Sequence, residues 1–232
     1  MEVLTITDWL SAYWVIIAMS IVIALHAHRM NVEKKQKGNV SMVKKLVLAA
    51  FIIEIISGFT YLPFAAGWIP VAQPWWADSF GEGIALNTVT ILFTVMVGLI
   101  LVFYLFNFER LFYTPAYAAA AILLYFLLTG HSELFQYYVY IGAISALLFI
   151  FIAGIHLRDN YALGLAVFYT IDFIQVVLLA VGLNGNSIAV IVAEFSIYAF
   201  GIFYATGAFR PFRATAPREK KTVETTTKAE VQ

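Results

Sequence analysis

Seven apolar runs follow one another along this chain, each near the ~20 residues that an α-helix needs to cross a bilayer, with only short polar breaks between them. They read as Asp8–His28, Met42–Leu62, Gly83–Asn107, Tyr113–Thr129, Leu134–His156, Asn160–Leu183 and Ser187–Ala208. The expected fold class is therefore all-α: a polytopic membrane protein, built as a seven-transmembrane-helix bundle over residues 1–209. Composition agrees, because 62% of the residues are hydrophobic and only 12% charged, far from the balance of a soluble domain. With so much of the chain assigned to the bilayer, there is room for one bundle and no soluble domain. The remainder, 210–232, is polar and Thr-rich and reads as a disordered tail.

Orientation follows from the basic residues. Arg29, Lys34, Lys35, Lys37, Lys44 and Lys45 fall after the first run, Arg110 after the third and Arg158 after the fifth. The tail holds Arg210, Arg213, Arg218, Lys220, Lys221 and Lys228, which completes the 14 in the chain. An odd number of spans puts all of them on one side, leaving Glu2, Asp8, Asp78, Glu82 and Glu133 on the other. The chain is expected in the cell membrane with its N-terminus outside and its C-terminus cytoplasmic. The first run opens with acids and lacks a basic flank and a small-residue cleavage site, so it is expected to stay as the first helix. The outer loop Pro63–Glu82 carries Trp68, Trp75 and Trp76 among prolines, which reads as an interfacial aromatic belt.

Three runs carry a carboxylate near mid-span: Glu54, Asp172 and Glu194. A charge at that depth costs about 2.5–3.5 kcal/mol on insertion scales, so such residues mark function by default. Helical spacing puts Glu54 on a face with Ser57, Gly58 and Tyr61, Asp172 with Tyr169 and Gln175, and Glu194 with Tyr198 and Gly201. Asn87, Thr90 and Thr94 form a further polar stripe on the third run. Four helices thus offer polar side chains to one interior, where no Lys or Arg lies to pair with the acids. A buried carboxylate is stable there when neutral or beside a cation. The candidate ligand or ion pathway is Glu54, Asp172, Glu194, Asn87, Gln175, Tyr169 and Tyr198. A set of neutral acids tying helices together through hydrogen bonds is the structural alternative.

The ends of the first and fifth runs repeat. Ile23-Ala24 and Arg29-x-Asn31 recur as Ile152-Ala153 and Arg158-x-Asn160, and Phe51-x-x-Glu54 then falls opposite Tyr169-x-x-Asp172. This suggests a 3+1+3 internal repeat, with the fourth run as linker. The layout and the outside N-terminus are similar to those of the SWEET family of sugar carriers. The likeness is architectural, since the Pro-Gln dipeptide that marks that wider family is absent.

Other chemistries are narrowed by what the residues lack. There is no cysteine, hence no disulfide, thiolate metal site or Cys nucleophile. The last run has no lysine, so retinal cannot attach there as in microbial rhodopsins. No H-E-x-x-H, G-x-S-x-G or phosphate-binding glycine loop occurs, which leans away from an enzyme. No cofactor is expected. If haem b were bound, His28 and His156, at corresponding helix ends, would be its axial ligands. The best reading is a carrier or channel for small solutes, protons or cations with a midplane carboxylate site. The alternatives are a membrane subunit of a redox assembly, haem- or quinone-linked, and a seven-helix receptor or sensor without retinal. Expected partners are the lipid bilayer and either further copies of the chain or other membrane subunits, and not nucleic acid.

Overall fold

The computed structural model describes residues 6–65, 86–129, 131 and 133–212. The aromatic outer loop, apart from its first residues, and the tail from 213 lie outside the described residues, as do the side chains of Asn87 and Thr90. Among those described, the chain forms seven helices and no strand. Helix α1 is continuous through Ile6–Trp9, a π turn at Leu10–Trp14, and Val15–Lys37. It is followed by α2 (Met42–Ala65), α3 (Leu86–Leu105), α4 (Thr114–Thr129), α5 (Glu133–His156), α6 (Asn160–Ala180) and α7 (Ile188–Thr206). Three of these are long and apolar enough to cross a membrane: Val15–Lys37, Glu133–His156 and Ile188–Thr206.

The helices fall on the apolar runs, with one large difference. α1 was expected to end at His28 but continues to Lys37, where Gly38 at φ 71° stops it in the left-handed region. Apolarity marks what lies in lipid, whereas a helix persists wherever its backbone bonds and side-chain pairs hold. Here Glu33 pairs with Lys37 one turn on (3.2 Å) and with Lys44 of α2 across the turn. Other ends are capped conventionally. Asp159 accepts from the backbone N–H of Tyr161 (2.8 Å) and Ala162 (3.0 Å) at the start of α6, and Ser187 accepts from Val190 at the start of α7.

Packing places α1, α2, α3, α5, α6 and α7 in a closed ring in that order, with α7 back against α1. α2 and α6 also touch across the middle, while α4 packs outside the ring against α3 and α5. Small residues set the α3–α5 seam: a Cβ on Gly98 would stand 3.1 Å from that of Ala146. The core inside the ring is built from Met19, Val22, Val47, Phe51, Leu101, Leu165 and Phe168. The outside is apolar too: Leu128 of α4 is 77% exposed, and Tyr140, Ile144, Phe173 and Val192 stand out from α5, α6 and α7.

Candidate functional site

The polar side chains inside the ring separate into two layers. The first lies near mid-helix. Glu194 of α7 is 2% exposed, and both of its oxygens accept hydrogen bonds. Gln175 Nε2 of α6 donates to Oε2, and the Tyr198 hydroxyl, one turn along α7, donates to Oε1 at 2.5 Å. Glu54 of α2 and Asp172 of α6 are half-buried, and among the described residues no donor meets either carboxylate. Both nevertheless lie within electrostatic reach of Glu194, and Glu54 within reach of Asp172. The three do not converge tightly enough to form a metal-ligating group.

Tyr169, one turn before Asp172, points its hydroxyl into the same region, near Glu54, Asp172 and Thr94 of α3. Thr94 approaches without hydrogen-bonding geometry, so that hydroxyl is buried with no partner. The Trp14 indole N–H of α1 is likewise buried and unpartnered, its ring 5.7 Å from that of Phe195. It is the last residue of the π turn, a helix distortion frequent at functional sites. Of the residues singled out in the sequence, Gln175, Glu194 and Tyr198 are joined directly. Glu54, Asp172 and Tyr169 stand close by without bonds. Asn87 belongs to α3, with its side chain outside the described residues.

The second layer lies at the end of the ring that carries the basic residues. Arg29 of α1 donates to the Ala205 carbonyl (3.1 Å) at the last turn of α7, and to the Tyr161 hydroxyl of α6 (2.6 Å). A cation there also complements the negative end of the α7 dipole. Gly207 is required twice over: its φ is 78°, and a Cβ on it would lie 2.4 Å from the Arg29 guanidinium. Tyr204 donates to the Tyr161 carbonyl at 2.7 Å, and Lys44 stands 4.4 Å from the Tyr161 ring centroid. His26, 1% exposed, faces the Lys44 carbonyl at 3.1 Å through Nε2 and leaves Nδ1 without a partner. In the sequence these residues signal only orientation. The available hint is an arginine at the end of an apolar run, with a tyrosine opening α6.

His28 and His156, the pair through which haem would be held, are both exposed, on helices α1 and α5 that share no packed interface. The repeated motifs also part company in three dimensions. Arg29 lies within α1, whereas Arg158 sits past the end of α5 in a left-handed turn at φ 52°.

Fold and site together define a class: an all-helical protein with apolar, membrane-length helices and a carboxylate layer enclosed by its helix ring. No protein-family model, curated protein or solved structure matches the chain.

Proposed function

We propose that this is a multi-pass protein of the cell membrane, with seven spans, N-terminus outside and C-terminus cytoplasmic. In this reading it moves protons or small cations through the mid-depth carboxylate layer. The observation that carries the reading is that, among the described residues, Glu54 and Asp172 meet no donor while Glu194 beside them is bonded at both oxygens. Acids that only tied helices together would be bonded, as Glu194 is. Glu54 and Asp172, half-buried and without a donor among the described residues, keep their oxygens available to a proton or a cation. Because the acids do not form a chelate, passage of protons or monovalent cations from one to the next suits them better than capture of a divalent metal.

Three further features support the membrane assignment and its repeat. Exposed Leu128, Ile144 and Phe173 would be a liability in water but are ordinary in lipid. All 14 basic residues fall on one side of a seven-span thread. The ring order is the one that a 3+1+3 repeat requires: rotation by half a ring carries α1–α2–α3 onto α5–α6–α7, with α2 and α6 meeting near the axis.

The test is flux. Purified protein in liposomes should dissipate an imposed pH or monovalent-cation gradient faster than empty liposomes do. Gradients that decay equally in both would remove the reading. A reporter fused after Gln232 should be cytoplasmic, and its appearance outside would reverse the topology.

A further inference from the structure

Between the carboxylate layer and the basic end lies a dry layer. Phe51 of α2 and Phe168 of α6 meet edge to face with centroids 5.5 Å apart, and are 0% and 2% exposed. Each stands one turn from an acid on its own helix, Phe51 three residues before Glu54 and Phe168 four before Asp172. Val22 of α1 closes a third side. α7 closes the fourth through Gly201, where a Cβ would lie 3.2 Å from the Phe168 ring. At ~1.5 Å per residue, Glu54 lies about 15 Å along α2 from Lys44, and Asp172 about 16 Å along α6 from Tyr161. The two rings therefore lie within the interval between acids and clamp, directly next to the acids.

We infer that the Phe51–Phe168 contact and the Arg29–Tyr161 clamp together form a closed gate on the basic-residue side of the carboxylate layer, which opens when α1–α2 separate from α6–α7. The inference rests on the transport reading above. The decisive feature is where the bonds run. Arg29 to Tyr161, Arg29 to Ala205, Lys44 to Tyr161 and Phe51 to Phe168 all cross the same seam, between α1–α2 and α6–α7. In the ring order that seam divides the two halves of the repeat.

The chemistry of the clamp suits reversible closure. The acceptors of Arg29 are a phenol and backbone carbonyls, neutral groups that water can replace, and no carboxylate pins it. The closed state is also selective by charge. Lys44 is paired with Glu33, but Arg29 meets only neutral acceptors among the described residues, so a cation leaving the acids meets an apolar septum and then the Arg29 charge until the seam parts.

Because the chain has no cysteine, Thr94→Cys places a single thiol beside Tyr169, above the septum. Its labelling by a membrane-impermeant maleimide is measured in inside-out and right-side-out vesicles. From the basic-residue side labelling should be slow. Adding Arg29→Ala should speed it about tenfold, the response to a shift of about 1.4 kcal/mol in the open–closed equilibrium. From the other side the rate should hardly change. Tyr161→Phe, which removes only the hydroxyl that Arg29 meets, should give a smaller rise of the same sign. Rapid labelling from the basic side in the Thr94→Cys protein, or no rise with either second change, overturns the gate. The two readings fail separately. Labelling as expected with flux indifferent to Asp172→Asn removes the cation site and leaves a gated chamber. Asp172-dependent flux with labelling indifferent to Arg29 and Tyr161 removes the gate and leaves the site.

Discussion

The carboxylate layer and the Arg29 clamp share three helices, α2, α6 and α7, about ten residues apart along them, and solve opposite problems. In the clamp, Arg29, Tyr161, Tyr204 and Lys44 all have partners on a neighbouring helix. In the carboxylate layer Glu194 is satisfied, whereas among the described residues Glu54, Asp172 and the Tyr169 hydroxyl meet no partner. A satisfied polar network fixes helices against one another, whereas polar groups left without partners cost free energy until something meets them. Polarity inside a helix bundle is therefore not one signal. What separates structural from functional groups is whether the fold has already provided their partners.

Substitutions can break or sharpen that contrast. The largest effect on stability should come from Arg29→Ala, which removes bonds from a charged group to two helices and should cost about 2–3 kcal/mol in thermal unfolding. Asp172→Asn and Glu54→Gln, which remove no bond, should shift stability by less than about 1 kcal/mol. Equal losses from the two layers would erase the distinction. Gly207→Ala should follow at about 2 kcal/mol, since it strains a left-handed residue and displaces the guanidinium. A neutral result there would mean that Arg29 does not depend on the space which Gly207 leaves. Tyr204→Phe should cost about 1 kcal/mol through the single bond to the Tyr161 carbonyl. The smallest effect should be Glu33→Gln, below about 1 kcal/mol and shrinking further at high salt, because its pairs with Lys37 and Lys44 lie at the polar end of α1. A larger, salt-independent loss would move that pair into the structural clamp.

Much of the helical plan was legible, because hydrophobic length and capping are local. α5 was expected over Leu134–His156 and runs over Glu133–His156, and the α6 start at Asn160 follows from Asp159 as its cap. The pairing of Glu194 with Tyr198 was also readable, since residues four apart share a helix face. Longer-range features were not. That Gln175 would reach Glu194 rather than Asp172 depends on how α6 and α7 turn toward each other, which spacing within one helix cannot fix. The clamp was hidden for a different reason. Arg29 contributes to the count that orients the chain, and its partners Tyr161, Ala205 and Gly207 are more than 130 residues away. The repeated Arg-x-Asn motif misleads in the same region: Arg29 is enclosed by its partners while Arg158 is exposed, because α1 runs on through the motif and α5 stops before it.

We propose that Glu54 and Asp172, not the bonded Glu194, carry the ion. This is tested most directly by Asp172→Asn in liposomes, with thermal unfolding measured on the same preparation. The amide keeps the shape of the side chain and its capacity to hydrogen-bond but cannot ionise. The expected result is loss of gradient-driven proton or cation flux at unchanged stability. Flux equal to that of the wild-type protein, at equal stability, would contradict it.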